Sequence, residues 1–231
     1  MKILIIIPAY NEAENISKVI KTIENIAPQY DYVIINDCSA DITEKICKEG
    51  GYNYINLPVN LGIGGAVQCG YQYALANDYD IVVQFDGDGQ HGAEYISKLV
   101  KPIECGEADM VIGSRFINKE GFQSSLMRRL GILIIKWVIR VCCGAKVTDT
   151  TSGFRAVSKP LISHFAKEYA NDYPEPEAIV SAVLNGYSIK EVPVKMNERV
   201  GGESSINTIR AVYYMIKVPI ALVIYRLSVK K

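Results

Sequence analysis

Residues 86–91 read DGDGQH and follow the apolar run IVVQF. Asp86 and Asp88 share parity at the end of what reads as a buried strand, so both carboxylates point to one side, with Gln90 behind them. Two carboxylates and an amide oxygen are hard donors. They suit Mg²⁺ or Mn²⁺, ions that keep waters and bind diphosphate oxygens. Gly87 and Gly89 allow the sharp turn such a site needs. A solvated Asp-Gly turn would be spelled the same way; the position at the end of a central strand is what favours metal.

Other chemistries have less to work with. His91 and His164 are the two histidines, which argues against a His-rich metal site and leaves little for a Ser-His-Asp triad. Six cysteines, at 38, 47, 69, 105, 142 and 143, form no C-x-x-C pair, so they read as small core residues in a reducing, cytosolic setting. The loop NLGIGGA at 60–66 approaches a dinucleotide fingerprint, but the third glycine position, 67, is valine and Pro58 separates the loop from any strand. It reads either as a turn and helix start near a sugar or ribose, with Gly62 at the ligand, or as a plain helix-start loop.

The elements that must position these groups alternate. Strands read at Ile3–Ile7 (stopped by Pro8), Tyr32–Ile35, Tyr52–Leu57, Ile81–Phe85 and Met110–Ile112. Helices read at Ala13–Ile26, from a cap at Asp41 through Cys47, at Gly64–Ala76, Ala93–Glu104 and Ser125–Cys143. Beyond these come a DTTSGFR loop, a helix, the acidic NDYPEPE, a further helix, the strand IKEVPV and a hydrophobic helical tract that Pro219 breaks or kinks. The order predicts an α/β fold with a mostly parallel sheet flanked by helices. Ligands of such sheets bind at the carboxyl ends of the strands. Those ends carry Pro8 to Glu12, Asn36-Asp37, Asp86 to Asp88 and Gly113 to Arg115, which are expected to converge.

The 231 residues are 49% hydrophobic and 22% charged, with zero formal net charge, which suits a folded chain and speaks against a nucleic-acid partner. The charge is unevenly placed. Residues 121–148 and 204–231 together hold ten basic residues and no acid. Arg129, Lys136 and Arg140 form one helical stripe, and Asn207, Arg210, Tyr214 and Lys217 a second. Basic stripes on apolar helices suit either a membrane interface or ordinary packed helices with solvated cations. No run of eighteen uncharged apolar residues predicts a transmembrane helix. The expected division is a catalytic domain over 1–205, including an interfacial helix at about 124–143, and a basic amphipathic tail over 206–231.

The motifs PAYNEAENI, INDCSAD, NLGIGGA, DGDGQH, GSR and DTTSGFR, in that order over residues 3–205, resemble the family 2 glycosyltransferases of GT-A fold. Within these the sequence is most similar to polyprenyl-phosphate glycosyltransferases of the dolichyl-phosphate-mannose-synthase type. The resemblance implies a nucleotide-sugar donor, a divalent metal (Mg²⁺ or Mn²⁺), and a polyprenyl phosphate acceptor. It assigns the donor's nucleoside to Pro8, Tyr10, Glu12 and Asp37, the metal to Asp86, Asp88 and Gln90, and phosphates to Arg115, Arg128, Arg129 and Arg199. Asp149 matches an acidic residue near the reacting centre. Two departures stand out: Asn36-Asp37-Cys38 replaces the more usual Asp-Asp-Gly, and the Q-x-x-R-W motif of processive members is absent.

The reaction so implied is an inverting displacement by a lipid phosphate on a UDP-sugar, glucose or N-acetylglucosamine. The protein would sit peripherally on the cytoplasmic face of the membrane, with a small membrane protein or a second copy as partner. Asp149 would orient rather than take a proton. Glu175 and Glu177 read either as base candidates or as a polar loop stiffened by Pro174 and Pro176. Gly201-Gly202 suggests a closing loop that carries Arg199. Rival readings are a nucleotidyltransferase, which lacks its lysine-bearing glycine loop here, a family 2 enzyme with a non-lipid acceptor, and a non-catalytic nucleotide-sugar-binding module.

Overall fold

The computed structural model describes residues 1–118, 126–197 and 208–229, with 126–130 and 208–212 described in backbone only. A seven-stranded sheet runs in the order β3-β2-β1-β4-β6-β5-β7. Its strands are β1 (Ile3–Ala9), β2 (Asp31–Asn36), β3 (Tyr54–Asn56), β4 (Ile81–Gln84), β5 (Met110–Ser114), β6 (Arg155–Ser158) and β7 (Ile189–Pro193). The helices are α1 (Ile16–Ile26), α2 (Thr43–Glu49), α3 (Gly62–Ala76), α4 (Ile96–Glu104), α5 (Leu126–Cys143), α6 (Lys159–Lys167), α7 (Pro174–Leu184) and α8 (Thr208–Ser228).

β1 is isoleucine-rich because both faces of the sheet are covered. Leu4 and Ile6 join a core with α3, α5, α6, α7 and α8, while Ile3, Ile5 and Ile7 face α1 and α4. The strand continues through Pro8. Pairing to β4 ends at Ile6 opposite Gln84, so the missing proline N–H opens no rung on that side.

Strand β6 was not legible in the sequence. Only four residues long and continuous with the α6 pattern, it runs antiparallel between β4 and β5, with Arg155 opposite both Gln84 and Ile112. All other pairings are parallel. The reversal has a consequence for the site. The start of β6, carrying DTTSGF, lies at the same edge as the ends of β4 and β5.

Three other expectations are corrected. Gly62 begins α3, two residues early, and its φ of +76° explains the glycine. Helix α7 starts at Pro174, where the proline's missing N–H costs nothing, so Glu175 and Glu177 occupy a first helical turn and not a loop. Helix α8 is not broken at Pro219, and Val218 and Leu222 beside it lie in the core.

Gly64 fixes how the first turn of α3 is seated. Its N–H donates to Asn171 O at 3.1 Å, and a Cβ there would lie 2.0 Å from Ala170 O and 2.4 Å from Asn171 O. Backbone cannot yield that far. Gly64→Ala is expected to destabilise by at least about 1–3 kcal/mol, read by calorimetry as roughly 2–4 °C of Tm per kcal/mol.

Candidate active site

The chain leaves β4 through Phe85, whose N–H donates to Ile6 O at 3.0 Å, and Gly87 N–H reaches Pro8 O at 3.3 Å. The acidic turn is thereby laid against the end of β1. His91 folds back beneath it. Its Nδ1 accepts the Asp86 N–H at 3.0 Å, and its Nε2 lies 3.5 Å from Asp86 Oδ2. The ring stacks on Phe154 at 4.6 Å and meets Phe85 edge-on at 5.4 Å. Burial pushes its pKa down to about 4, against the opposing pull of Asp88, so the imidazole is neutral at pH 7 with Nε2–H toward Asp86. The sequence reading gave His91 no role; the aromatic sandwich that holds it exists only in the fold.

Asp88 Oδ1 accepts the Gln90 N–H at 3.0 Å, closing an Asx turn. Gln90 is pinned by Asn197, whose N–H donates to Gln90 O at 2.9 Å and whose carbonyl lies 3.5 Å from Gln90 Nε2. A Cβ on Gly153 would come within 2.9 Å of Asp86 Oδ2, so only glycine leaves that carboxylate room. Gln84 Oε1, without a hydrogen-bond partner among the described residues, is buried two residues before Asp86. Among the described residues no cluster of three or more His, Cys, Asp or Glu side chains suits a metal. Two carboxylates and an amide, with water or phosphate completing the shell, fit Mg²⁺ or Mn²⁺.

Arg115 leaves the end of β5 and is gripped by Asp149. Nε donates to Oδ2 at 2.7 Å, Nη2 to Oδ1 at 2.8 Å and the Arg115 N–H to Oδ2 at 3.2 Å, while Nη2 also reaches Thr151 Oγ1 at 2.9 Å. Both side chains are buried, Asp149 completely. Burial alone would lower the arginine's pKa, but the hydrogen bonds and charge of Asp149, with Asp86 and Glu175 adding, leave it raised. Asp149 is thus built in as the holder of Arg115. Glu177 lies half-buried on α7; burial, then Glu168, raises its pKa, and it lines a cavity of about 230 Å³ with Asp172, Tyr173 and Lys217.

At the β1 and β2 ends a web of neutral groups joins two loops. Asn11, at φ +57°, accepts from Ala40 N–H at 2.8 Å, and its own N–H donates to Ser39 Oγ at 2.9 Å. Ser39 donates to Asn36 Oδ1 at 2.5 Å, and Asn36 Nδ2 to Asn56 Oδ1 at 2.5 Å. Asp41 accepts from Thr43 N–H at 2.9 Å and Ala13 N–H at 3.1 Å, but it stands one residue before the N-cap of α2, which is Ile42 and not Asp41 as expected. Pro8 is buried and Tyr10 exposed beside this web. Glu12 and Asp37 each bond within the chain. Glu12 Oε2 accepts from Asn15 Nδ2 at 2.8 Å. Asp37 Oδ1 accepts the Leu61 N–H at 2.7 Å, seating β2 on the start of α3, and burial raises its pKa. The side chains of Arg128 and Arg129, and all of Arg199, lie outside the described residues.

His91→Leu keeps the volume but removes the acceptor for the Asp86 N–H. Metal-dependent nucleotide affinity, measured by titration calorimetry, is expected to fall about 10–100-fold with little change in Tm.

A model of the family described as "Glycosyl transferase family 2" matches residues 4–165. A UDP-N-acetylglucosamine–dolichyl-phosphate N-acetylglucosaminyltransferase of Methanococcus voltae is 35% identical over 214 residues, covering 84% of each chain. A polyprenol monophosphomannose synthase of Mycolicibacterium smegmatis is 28% identical, covering 88% of this chain and 80% of its own. Among solved structures, glucosyl-3-phosphoglycerate synthase of Mycobacterium tuberculosis with Mn²⁺, UDP and phosphoglyceric acid superposes with a TM-score of 0.74 at 21% identity, covering all of this chain and 80% of its own, a likeness of fold. The matched stretch runs from β1 into α6 and contains the acidic turn, the Arg115–Asp149 pair and the web at Asn36: this chain belongs to glycosyl transferase family 2.

Proposed function

We propose that this glycosyltransferase moves a sugar from a nucleotide-sugar donor to the phosphate of a polyprenyl phosphate at a membrane surface. The observation that carries the lipid acceptor is the outer face of α5 and α8. Leu133, Ile134, Trp137 and Val141 of α5 and Ile216, Ile220, Ile224 and Leu227 of α8 are exposed, Trp137 by 67% and Leu227 by 79%. The two helices pack together, with Cys142 Sγ 3.8 Å from Leu222 O and a Gly131 Cβ position 3.0 Å from Met215 Cγ. Exposed aliphatic surface on this scale marks an interaction site. Lys136, Arg140 and Arg226 lie on these helices, in stretches without acids, which suits anionic lipid. Among the described residues no helix is long and apolar enough to cross a membrane.

The basic stripe expected on α8 takes another direction. Tyr214 stacks edge-on against Tyr173 at 4.5 Å, and Lys217 pairs with Asp172. Its described half faces the α6–α7 loop, and what faces outward is apolar.

Asp86, Asp88 and Gln90 would hold Mg²⁺ or Mn²⁺, which neutralises charge on the departing diphosphate. Arg115, fixed by Asp149, adds a preorganised positive charge beside it. A phosphate monoester has its second pKa at about 6 and is already ionised at neutral pH. It needs no strong base, in keeping with an Asp149 carboxylate whose two oxygens are engaged. A single displacement inverts the anomeric carbon. The donor we favour is UDP-glucose or UDP-N-acetylglucosamine, and the acceptor undecaprenyl phosphate, reached from the cytoplasmic face for surface-glycan assembly. The relatives' names, dolichyl-phosphate and polyprenol transferases, support the acceptor class.

Incubated with Mn²⁺, undecaprenyl phosphate and a panel of labelled nucleotide sugars, the protein is expected to transfer label from one donor into the organic phase. Asp88→Ala is expected to lower that transfer by on the order of a hundredfold or more, several kcal/mol of charge stabilisation being at stake. Label recovered only on water-soluble acceptors would refute the lipid. Trp137 is the single tryptophan, so its emission is expected to shift to the blue with anionic vesicles and to return at high salt.

A further inference from the structure

Glu191 has no part in the transfer as described so far. It lies on β7, opposite Ile112 of β5, and its carboxylate turns to the head of the 148–154 loop. Oε2 accepts the Thr148 N–H at 2.7 Å; Oε1 accepts the Asp149 N–H at 2.9 Å and the Thr148 hydroxyl at 2.8 Å. Thr148 Oγ1 lies 2.6 Å from Ser114 Oγ, which accepts the Phe116 N–H at 3.3 Å. A ring closes: Ser114 to Thr148, Thr148 to Glu191, Glu191 to Asp149, Asp149 to Arg115, and Arg115 back to Ser114 along the chain.

Three donors converge on two oxygens, which calls for an acceptor with no proton of its own. A carboxamide would turn an NH₂ against one backbone N–H. The residue whose backbone Glu191 holds is the one whose side chain holds Arg115.

We propose that Glu191 is a positioning residue for transfer, setting the backbone of Thr148 and Asp149 so that the Asp149 carboxylate meets Arg115 edge-on and fixes the guanidinium plane at the strand ends. This rests on the reading above only for the identity of the phosphate that Arg115 serves. Glu191 touches no substrate in this scheme; it acts through Asp149.

The test is a double-mutant cycle on the full chain with Glu191→Gln and Arg115→Lys. Two rates are followed with a UDP-sugar and Mn²⁺: transfer to undecaprenyl phosphate, and release of UDP to water, which needs no lipid. Glu191→Gln is expected to lower kcat about tenfold to a hundredfold, displacement by an ångström being worth about a hundredfold, with donor KM within about twofold. In the Arg115→Lys background the same change is expected to cost less than about threefold, because the group it positions is already lost. An equal factor in both backgrounds overturns the proposal, and so does a kcat that Glu191→Gln leaves intact. UDP release without lipid transfer would count against the acceptor and leave the cycle readable. Should Glu191→Gln fail to fold, Thr148→Val removes one of the three donors at nearly constant volume and is expected to show a smaller loss with the same non-additivity; additive behaviour there overturns the proposal equally.

Discussion

A guanidinium and a carboxylate shut away from water must satisfy one another almost completely, or their desolvation would cost several kcal/mol each. Arg115 and Asp149 meet that demand with two parallel contacts, and the rest of the carboxyl edge is arranged around them. β5 must end where Arg115 leaves it. The 148–154 loop must approach from the other side. The sheet solves this by reversing one strand: β6 leaves the loop at the edge where β4 and β5 finish and runs back between them. Arg155, fully buried at the first residue of β6, closes the loop from behind, donating to Ser152 O through Nε at 3.1 Å and Nη2 at 2.5 Å, and to Glu175 O through Nη1 at 3.3 Å. One arginine is held by a carboxylate and the other by carbonyls, so the two sides of the loop are fixed by charge-assisted hydrogen bonds.

The acidic turn depends on this arrangement through its aromatic support. Phe154, the last loop residue before β6, stacks on His91, and His91 accepts the Asp86 N–H. The backbone of the first acid is therefore registered against the same loop that holds Arg115. A neutral imidazole is well suited to the task, since it offers an acceptor to one atom of Asp86 and a donor toward another without adding charge beside two carboxylates.

Much of this was legible in the residues. Apolar, β-branched runs marked β1, β2 and β4, and the polar letters that follow each of them lie at the carboxyl edge of the sheet. Apolar spacing at Ile16, Val19, Ile20 and Ile23 gave the buried face of α1. What was hidden depended on distance in sequence. β6 is four residues that pattern alone joins to α6. Glu191 lies 42 positions from Asp149, on a strand whose alternation says nothing of what its side chain reaches. Glu12 and Asp37 stand in motifs that resemble ligand contacts, and only the fold shows that they also bond to Asn15 and to the start of α3. Sequence shows that a carboxylate is present; only packing shows what it accepts from.

The sheet divides the molecule into unlike halves. On one face α1, α2 and α4 cover the core with polar outer surfaces of the usual kind. On the other, α5 and α8 carry exposed apolar side chains such as Trp137 and Leu227 beside Lys136, Arg140 and Arg226. That face is tied to the start of α3 by a short bracket. Tyr214 and Lys217 of α8 hold Tyr173 and Asp172, and Asn171 accepts the N–H of Gly64 in the first turn of α3, whose start Asp37 seats. Tyr173 takes a left-handed conformation, φ +52°, to make this turn. A tyrosine adopts that geometry only where surrounding contacts over-determine it. Here those contacts come from α8 on one side and the start of α7 on the other. α8 and the start of α3 thus meet through the same short stretch of backbone, residues 171–173.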